Sequence, residues 1–219
     1  MRYRCNMTAT DRAYAYAKER ILDGRLPGGE LISEGEVASG VGVSRTPVRE
    51  AFLRLESEGL LRLYPKRGAL VVPVSAAEVE SVMETRLLLE RFAIEKVVRS
   101  GVELGKAPAK AMTRQEGLAA RGNLPAFVEA DREFHRVFVV AAHNPILLGL
   151  HDSLRSRQSR MGLAALARDP DRTETILDEH RALTAAVAAR DEDAARRILD
   201  DHLGATLLLL LQAGSPLQA

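Results

Sequence analysis

The sequence is poor in three things. A single cysteine, Cys5, occurs among 219 residues, so no disulfide can close within the chain and nothing points to an oxidising compartment. Aromatic residues make up 4% and tryptophan is absent. Long apolar runs are missing too. The longest, "LLLLL" at 207–211, is far too short to span a bilayer, and the opening "MRYRCNMTATDR" offers no apolar stretch for a signal peptide. A soluble, cytoplasmic protein without a membrane partner is expected.

What is present favours helices: 46% of residues are apolar, and Ala, Leu, Val, Arg and Glu dominate. The length suits one large or two small domains. The net charge of +1 is uneven, with 12 basic against 9 acidic residues over 1–75 and 19 against 21 over the remainder. Between 44 and 67 six basic residues (Arg45, Arg49, Arg54, Arg62, Lys66, Arg67) face three acidic ones (Glu50, Glu56, Glu58). That basic focus suits a polyanion.

The first third has the order helix, short helix, helix, hairpin. "TDRAYAYAKERILDGRLPGG" reads as a helix closed by Gly24 and a Pro-Gly turn. "SEGE" at 33–36 is a capping box opening a short helix that Gly40 and Gly42 interrupt. "VSRTPVREAFLRLESEGLL" starts a third helix, with Ser44 or Thr46 as cap and Pro47 tolerated in the first turn. Val48, Phe52 and Leu55 share its core face, while Arg45 and Arg49 lie together beside it. "LLRLYPKRGALVVPV" predicts a two-stranded hairpin turning at Pro65–Gly68, with Lys66 and Arg67 at its tip.

This is the order of a winged helix-turn-helix. One helix fits a major groove, where Arg grips guanine with two hydrogen bonds. Ser44, Thr46 and the helix-start N–H groups suit phosphates. The "PKRG" tip would lie along the neighbouring backbone or minor groove, with Gly68 permitting close approach. The run "VGVSRTPVREAFLRLESEGLLRLYPKRGALVV" strongly resembles the DNA-binding domain of the GntR family of bacterial transcription regulators, over about residues 8–73. The resemblance implies that Arg45 and Arg49 contact DNA, with Ser44, Thr46, Pro47 and Gly68 packed against it. Where the family usually carries Arg this chain has Gly35, which puts operator affinity or sequence preference in question.

Beyond a linker at 73–75, Ser75 and Glu78 form a second capping box for a helix reaching about Ser100. Arg86 and Glu90 interrupt its apolar stripe of Val79, Val82, Met83, Leu89 and Ala93. They form either a structural ion pair or a site where Arg86 awaits an anionic ligand. "SGVELGKAPAKA" reads as a loop or helix break, and from "NLPAFVEA" onward helical patterns run almost to the end, broken near 143–145, 168–171 and 190–193.

Three of the five histidines fall in apolar stripes. Asp131 and His135 project between Phe127, Phe134, Phe138 and Ala142; Ile176, Leu183 and Val187 flank His180; Ala195, Ile198 and Leu209 share a face with His202. His180 lies 11 residues before Asp191 and His202 lies 11 after it. A hairpin hinged at Asp191 therefore sets both imidazoles level. With Asp131 and His135 one turn apart on a facing helix, either four ligands converge on a divalent transition metal or each histidine is a separately satisfied core residue. His143 reads as a helix-end residue, and His151 as exposed or incidental.

"DREFHRVFVVAAHNPIL", "EHRALTAAVAARDEDAARRILDDHL" and "ETRLLLERFAIE" look like the all-helical FCD ligand-binding domain of the FadR-type GntR subfamily, over about 78–212. This resemblance implies that Asp131, His135, His180 and His202 hold a metal whose open positions meet a small carboxylate effector. Zinc is the first candidate, with nickel, manganese or iron(II) as alternatives. Arg86 becomes a candidate effector anchor, and Arg157, which shares a face with Leu150, Leu154, Met161 and Ala164, a second one.

The expected fold is mainly α: a winged helix-turn-helix of three helices and a two-stranded wing over 1–73, then an all-α bundle of six or seven helices over 74–219. The expected function is transcription regulation by a homodimer on a pseudo-palindromic operator, controlled by a small organic acid. The competing readings are a metal-dependent enzyme and a regulator with a purely structural metal.

Overall fold

The computed structural model describes residues 7–169 and 171–212; Cys5 lies outside them. The chain divides between Val74 and Ser75 into two compact units.

In the first unit Thr8 caps α1 (Ala9–Leu22) through a reciprocal box with Asp11, and Ser33 caps α2 (Glu34–Val41) through another with Glu36. Helix α2 ends at Gly42, which has the left-handed φ of 71° that a side chain disfavours. Helix α3 (Arg45–Ser57) begins after Ser44, whose hydroxyl makes no capping bond. Val48, Phe52 and Leu55 of α3 are buried in one core with Ala13, Ala17 and Ile21 of α1 and Val37 of α2.

The wing strands β2 (Leu61–Tyr64) and β3 (Gly68–Val71) pair antiparallel, Leu61 opposite Val71 and Tyr64 opposite Gly68. The sheet has a third strand. β1 (Leu31–Ile32) joins the other edge of β3, with Ile32 opposite Ala69. The two-stranded wing is present as expected; β1, whose two residues are too few to show alternation in sequence, extends its sheet.

In the second unit seven helices are found among the described residues: α4 (Ala76–Ser100), α5 (Ala107–Ala119), α6 (Leu124–Ala141), α7 (Pro145–Ser153), α8 (Arg155–Arg168), α9 (Arg172–Ala188) and α10 (Glu192–Leu211). The supposed loop "SGVELGKAPAKA" is half helix. It gives way at Ala107 to α5, whose early Pro108 fits a first turn where N–H groups lack partners. The break between α7 and α8 has no Gly or Pro to announce it. There the Ser153 hydroxyl donates to Leu150 C=O at 2.6 Å, and Leu154 N–H closes a tightened turn on His151 C=O.

Ser75 caps α4 by accepting from Glu78 N–H, but Glu78 does not complete the box. Its carboxylate pairs instead with Arg157 at 3.3 Å and Arg160 at 3.1 Å on α8. Asp191 is both hinge and N-cap of the α9–α10 hairpin, accepting from Ala194 N–H. Helix α6 packs against α4, α5 and α8, and α10 against α4, α8 and α9. Among the described residues no helix is long and apolar enough to cross a membrane.

Candidate metal centre and nucleic-acid interface

In the first unit the start of α3 and the wing tip form one groove, lined by Arg45, Arg49, Tyr64, Lys66, Arg67 and Gly68 among others. Ser44, Arg45, Thr46, Arg49, Lys66 and Arg67 are exposed, and Pro47 and Gly68 are half-buried. Arg49 Nε lies 3.2 Å from Glu34 Oε1, with the arginine side chain 73% exposed. So open an ion pair holds its arginine weakly. Gly35 leaves room that Arg45 uses: a Cβ at position 35 would lie 3.5 Å from Arg45 Nη2. An arginine there would crowd a second cation against Arg45. Glycine at 68 has a reason within the fold itself. Its φ is 101°, and a Cβ would collide with the Ile32 carbonyl oxygen of β1.

In the second unit Asp131 and His135 of α6, His180 of α9 and His202 of α10 bring one ligand atom each to within 4.8 Å of one another. His135 Nε2 lies 3.2 Å from the Nε2 of both His180 and His202, and His180 Nε2 lies 3.5 Å from Asp131 Oδ1. All three histidines are buried. The Phe134 ring stacks on His180 with centroids 3.9 Å apart.

Every imidazole is held from behind. His135 Nδ1 is 2.8 Å from Glu90 Oε2 of α4, His180 Nδ1 is 2.9 Å from Gln115 Oε1 of α5, and His202 Nδ1 is 2.7 Å from Glu179 Oε2 of α9. Gln115 also donates from Nε2 to Asp131 Oδ1 at 3.3 Å, which orients its amide. With acceptors bonded behind His180 and His202, their Nδ1 atoms carry the hydrogen and their Nε2 lone pairs turn inward, and the Glu90 carboxylate beside His135 Nδ1 favours the same arrangement there.

The electrostatics agree. Burial pushes His180 well below the ordinary imidazole value, and the positive charge of His135, His202 and Arg86 pushes it the same way. Burial also lowers His202, against the opposing effect of the hydrogen bond it donates to Glu179. For Glu90 burial favours the neutral form, but Arg86 and His135 outweigh it and hold the carboxyl well below its usual range. Burial likewise opposes ionisation of Glu179, and its bonds to His202 and Arg172 overcome it. With their Nε2 lone pairs aimed inward at the Asp131 carboxylate, the three imidazoles in their neutral form would leave negative potential at the centre. That donor set fits a divalent transition cation.

Beside the centre lies a narrow cavity of about 30 Å³ whose lining includes Arg86, Asp131, Arg132, Gln158, Arg172 and His202. It has room for about two waters. Arg86 Nε donates to Glu90 Oε1 at 2.8 Å, so the ion pair exists, while its Nη groups make no hydrogen bond among the described residues. Arg157 does not line the cavity; it faces Glu78. The stripe that suggested it treats 150–164 as one helix, and the break at Leu154 resets the phase so that Gln158 turns inward instead. His151, expected to be exposed or incidental, is fully buried, 3.7 Å from Glu90 Oε1.

Sequence reasoning misses Gln115, Glu179 and Gln158. Only Glu90, a carboxylate within an apolar stripe, gives any signal. The start of α5 lies in a presumed loop or helix break, the stretch holding Gln115 is assigned no helix from sequence, and a glutamate beside a histidine is unremarkable on its own.

Residues 9–71 match the profile described as bacterial regulatory proteins, gntR family, and residues 81–205 match the FCD domain. The chain is 34% identical over 135 residues to an HTH-type transcriptional regulator of Agrobacterium vitis encoded in the TAR-I ttuE-ttuC' intergenic region, covering 59% of this chain and 78% of that one. It is 29% identical over 173 residues to the gluconate operon transcriptional repressor of Bacillus licheniformis, covering 77% and 71%. A crystal structure of a GntR transcriptional regulator from Rhodococcus sp. RHA1 superposes with a TM-score of 0.75 at 22% identity, over 93% of this chain and 98% of that one.

Proposed function

Because the chain belongs to the GntR family and carries an FCD domain, it is a DNA-binding transcriptional regulator, and we propose that a small carboxylate bound at a metal in its second unit controls its affinity for an operator. The observation that carries this reading is the inward convergence of three Nε2 atoms and the Asp131 carboxylate beside a cavity that Arg86 lines. Asp131, His135, His180 and His202 would hold the cation. When bound, it would supply a Lewis-acidic point for a carboxylate oxygen.

The chain's own residues do the rest. Glu90, Gln115 and Glu179 fix the rings, and Arg86 offers its Nη groups to the anion. The cavity is too small for an organic acid as it stands, so binding must displace lining side chains. That displacement gives the effector different contacts in two conformations, which any ligand-driven shift requires. One relative is named for the gluconate operon, and gluconate is a hydroxylated carboxylate of the proposed class.

DNA contact is assigned to Arg45 and Arg49, with Ser44, Thr46, Lys66 and Arg67 on phosphates. A homodimer would match a two-fold operator. Leu88 and Phe92, one turn apart on α4 and 72% and 48% exposed, supply an apolar patch for it. Replacing both with Glu should turn a dimer into a monomer in sedimentation.

The deciding experiment combines metal analysis of the full-length protein with thermal shift and DNA release. A chelator should lower the melting temperature, and carboxylates should raise it only with metal present. A ligand at 100 times its Kd adds about 2.7 kcal/mol. The same acids should change the affinity for DNA flanking the gene. A chelator-sensitive melt without any acid response leaves the metal purely structural and refutes effector control.

A further inference from the structure

Gln158 is a buried polar side chain on the cavity wall that the centre and its supports leave unexplained. It is 6% exposed, lines the cavity, and neither Oε1 nor Nε2 has a hydrogen-bond partner among the described residues. The rest of its wall on α8 is Met161, Gly162, Ala165 and Leu166, all apolar. Gly162, one turn on, is where α8 and α6 come close: a Cβ there would lie 2.7 Å from Val128 Cγ1. The amide is thus presented on a wall with little freedom to retreat.

We propose that Gln158 recognises a hydroxyl group of the effector and makes the site selective for hydroxylated over unsubstituted carboxylates. This rests on the carboxylate reading above. The match is one of hydrogen-bond type. An amide offers a donor and an acceptor, and a hydroxyl answers both, whereas an alkyl chain answers neither. A second carboxylate answers only the donor. The arginines that could balance its charge are engaged, Arg132 with Glu129, Glu133 and Asp152, and Arg172 with Glu179. A buried polar group left unpaired penalises the wrong ligand far more than a missing methylene does.

Titration calorimetry on the full-length, zinc-loaded protein tests this. Glycolate, 3-hydroxybutyrate and gluconate are compared with acetate, butyrate and hexanoate, the unsubstituted acids of equal carbon number. In the wild type at least one hydroxy acid should bind about 30-fold tighter than its counterpart. In Gln158→Leu that ratio should fall to about threefold or less, through weaker binding of the hydroxy acid, with the ligand-free melting temperature unchanged or raised. Gln158→Met serves if the leucine variant does not fold. A ratio retained in either folded variant means that water satisfies the amide, and the assignment falls while the carboxylate reading stands. Equal binding of both acids by the wild type has the same meaning. If none of the six acids binds, the carboxylate reading itself fails and takes this assignment with it.

Discussion

Glu179 Oε2 accepts a hydrogen bond from His202 Nδ1 at 2.7 Å across the α9–α10 hairpin, while the residue after Glu179, His180, turns its own ring to the same centre. Two consecutive residues of one helix thus serve different donors, one from behind and one directly. Glu179→Gln keeps an acceptor but removes the charge that favours ring donation. Metal affinity should fall by about tenfold, and by up to about 100-fold in Glu179→Ala. Competition with a chromogenic chelator measures it; unchanged affinity in both variants means that Glu179 serves Arg172 alone.

At the other end of the chain, Arg49 must leave Glu34 to reach a base or phosphate. Arg49→Ala should weaken operator binding and flatten the dependence of log K on log salt by about one unit. Glu34→Gln should do the opposite to affinity, strengthening it about threefold by removing a competing anion. Binding isotherms across a salt series separate the two, and an unchanged slope in Arg49→Ala removes this residue from the interface.

Gly68→Ala should cost about 1–3 kcal/mol of stability, because φ is positive and the Ile32 carbonyl stands where the methyl would go. Denaturant unfolding of the full-length protein reads the loss. Weakened DNA binding with intact stability would return Gly68 to a contact role.

Glu58 accepts from Tyr14 at 2.5 Å and from Lys18 at 2.6 Å. Burial alone would raise its pKa, but Lys18 and Tyr14 outweigh it and hold it below the usual value. A carboxyl depressed in the folded state stabilises above its unfolded pKa and loses that contribution as pH falls through the folded one. Glu58→Gln should therefore destabilise at pH 7 by about 1 kcal/mol. The difference should shrink below about pH 4.5, and one that grows on acidification would reverse the sign of this interaction.

The centre's four donors were legible because each broke an apolar stripe at helical spacing, and because His180 and His202 are equidistant from Asp191. The residues behind them were not. Gln115 and Glu179 have ordinary helical neighbours, and their role appears only once helices distant in sequence are packed. Arg157 shows how a phase error arises. Without a breaker at Leu154, residues 150–164 look continuous, and the wrong side chain faces inward. The small strand β1 was invisible for want of length, yet it dictates glycine at 68.

The spread of the donors along the chain also sets when the centre can exist. His202 follows His135 by 67 residues, so a nascent chain emerges with Asp131 and His135 well before α10 is made. Until that last helix docks, a cation would meet only three of the four donors, Asp131, His135 and His180. Were a metal bound as proposed, full coordination and completion of the bundle would be one event, and metal supply during synthesis would decide whether the centre fills.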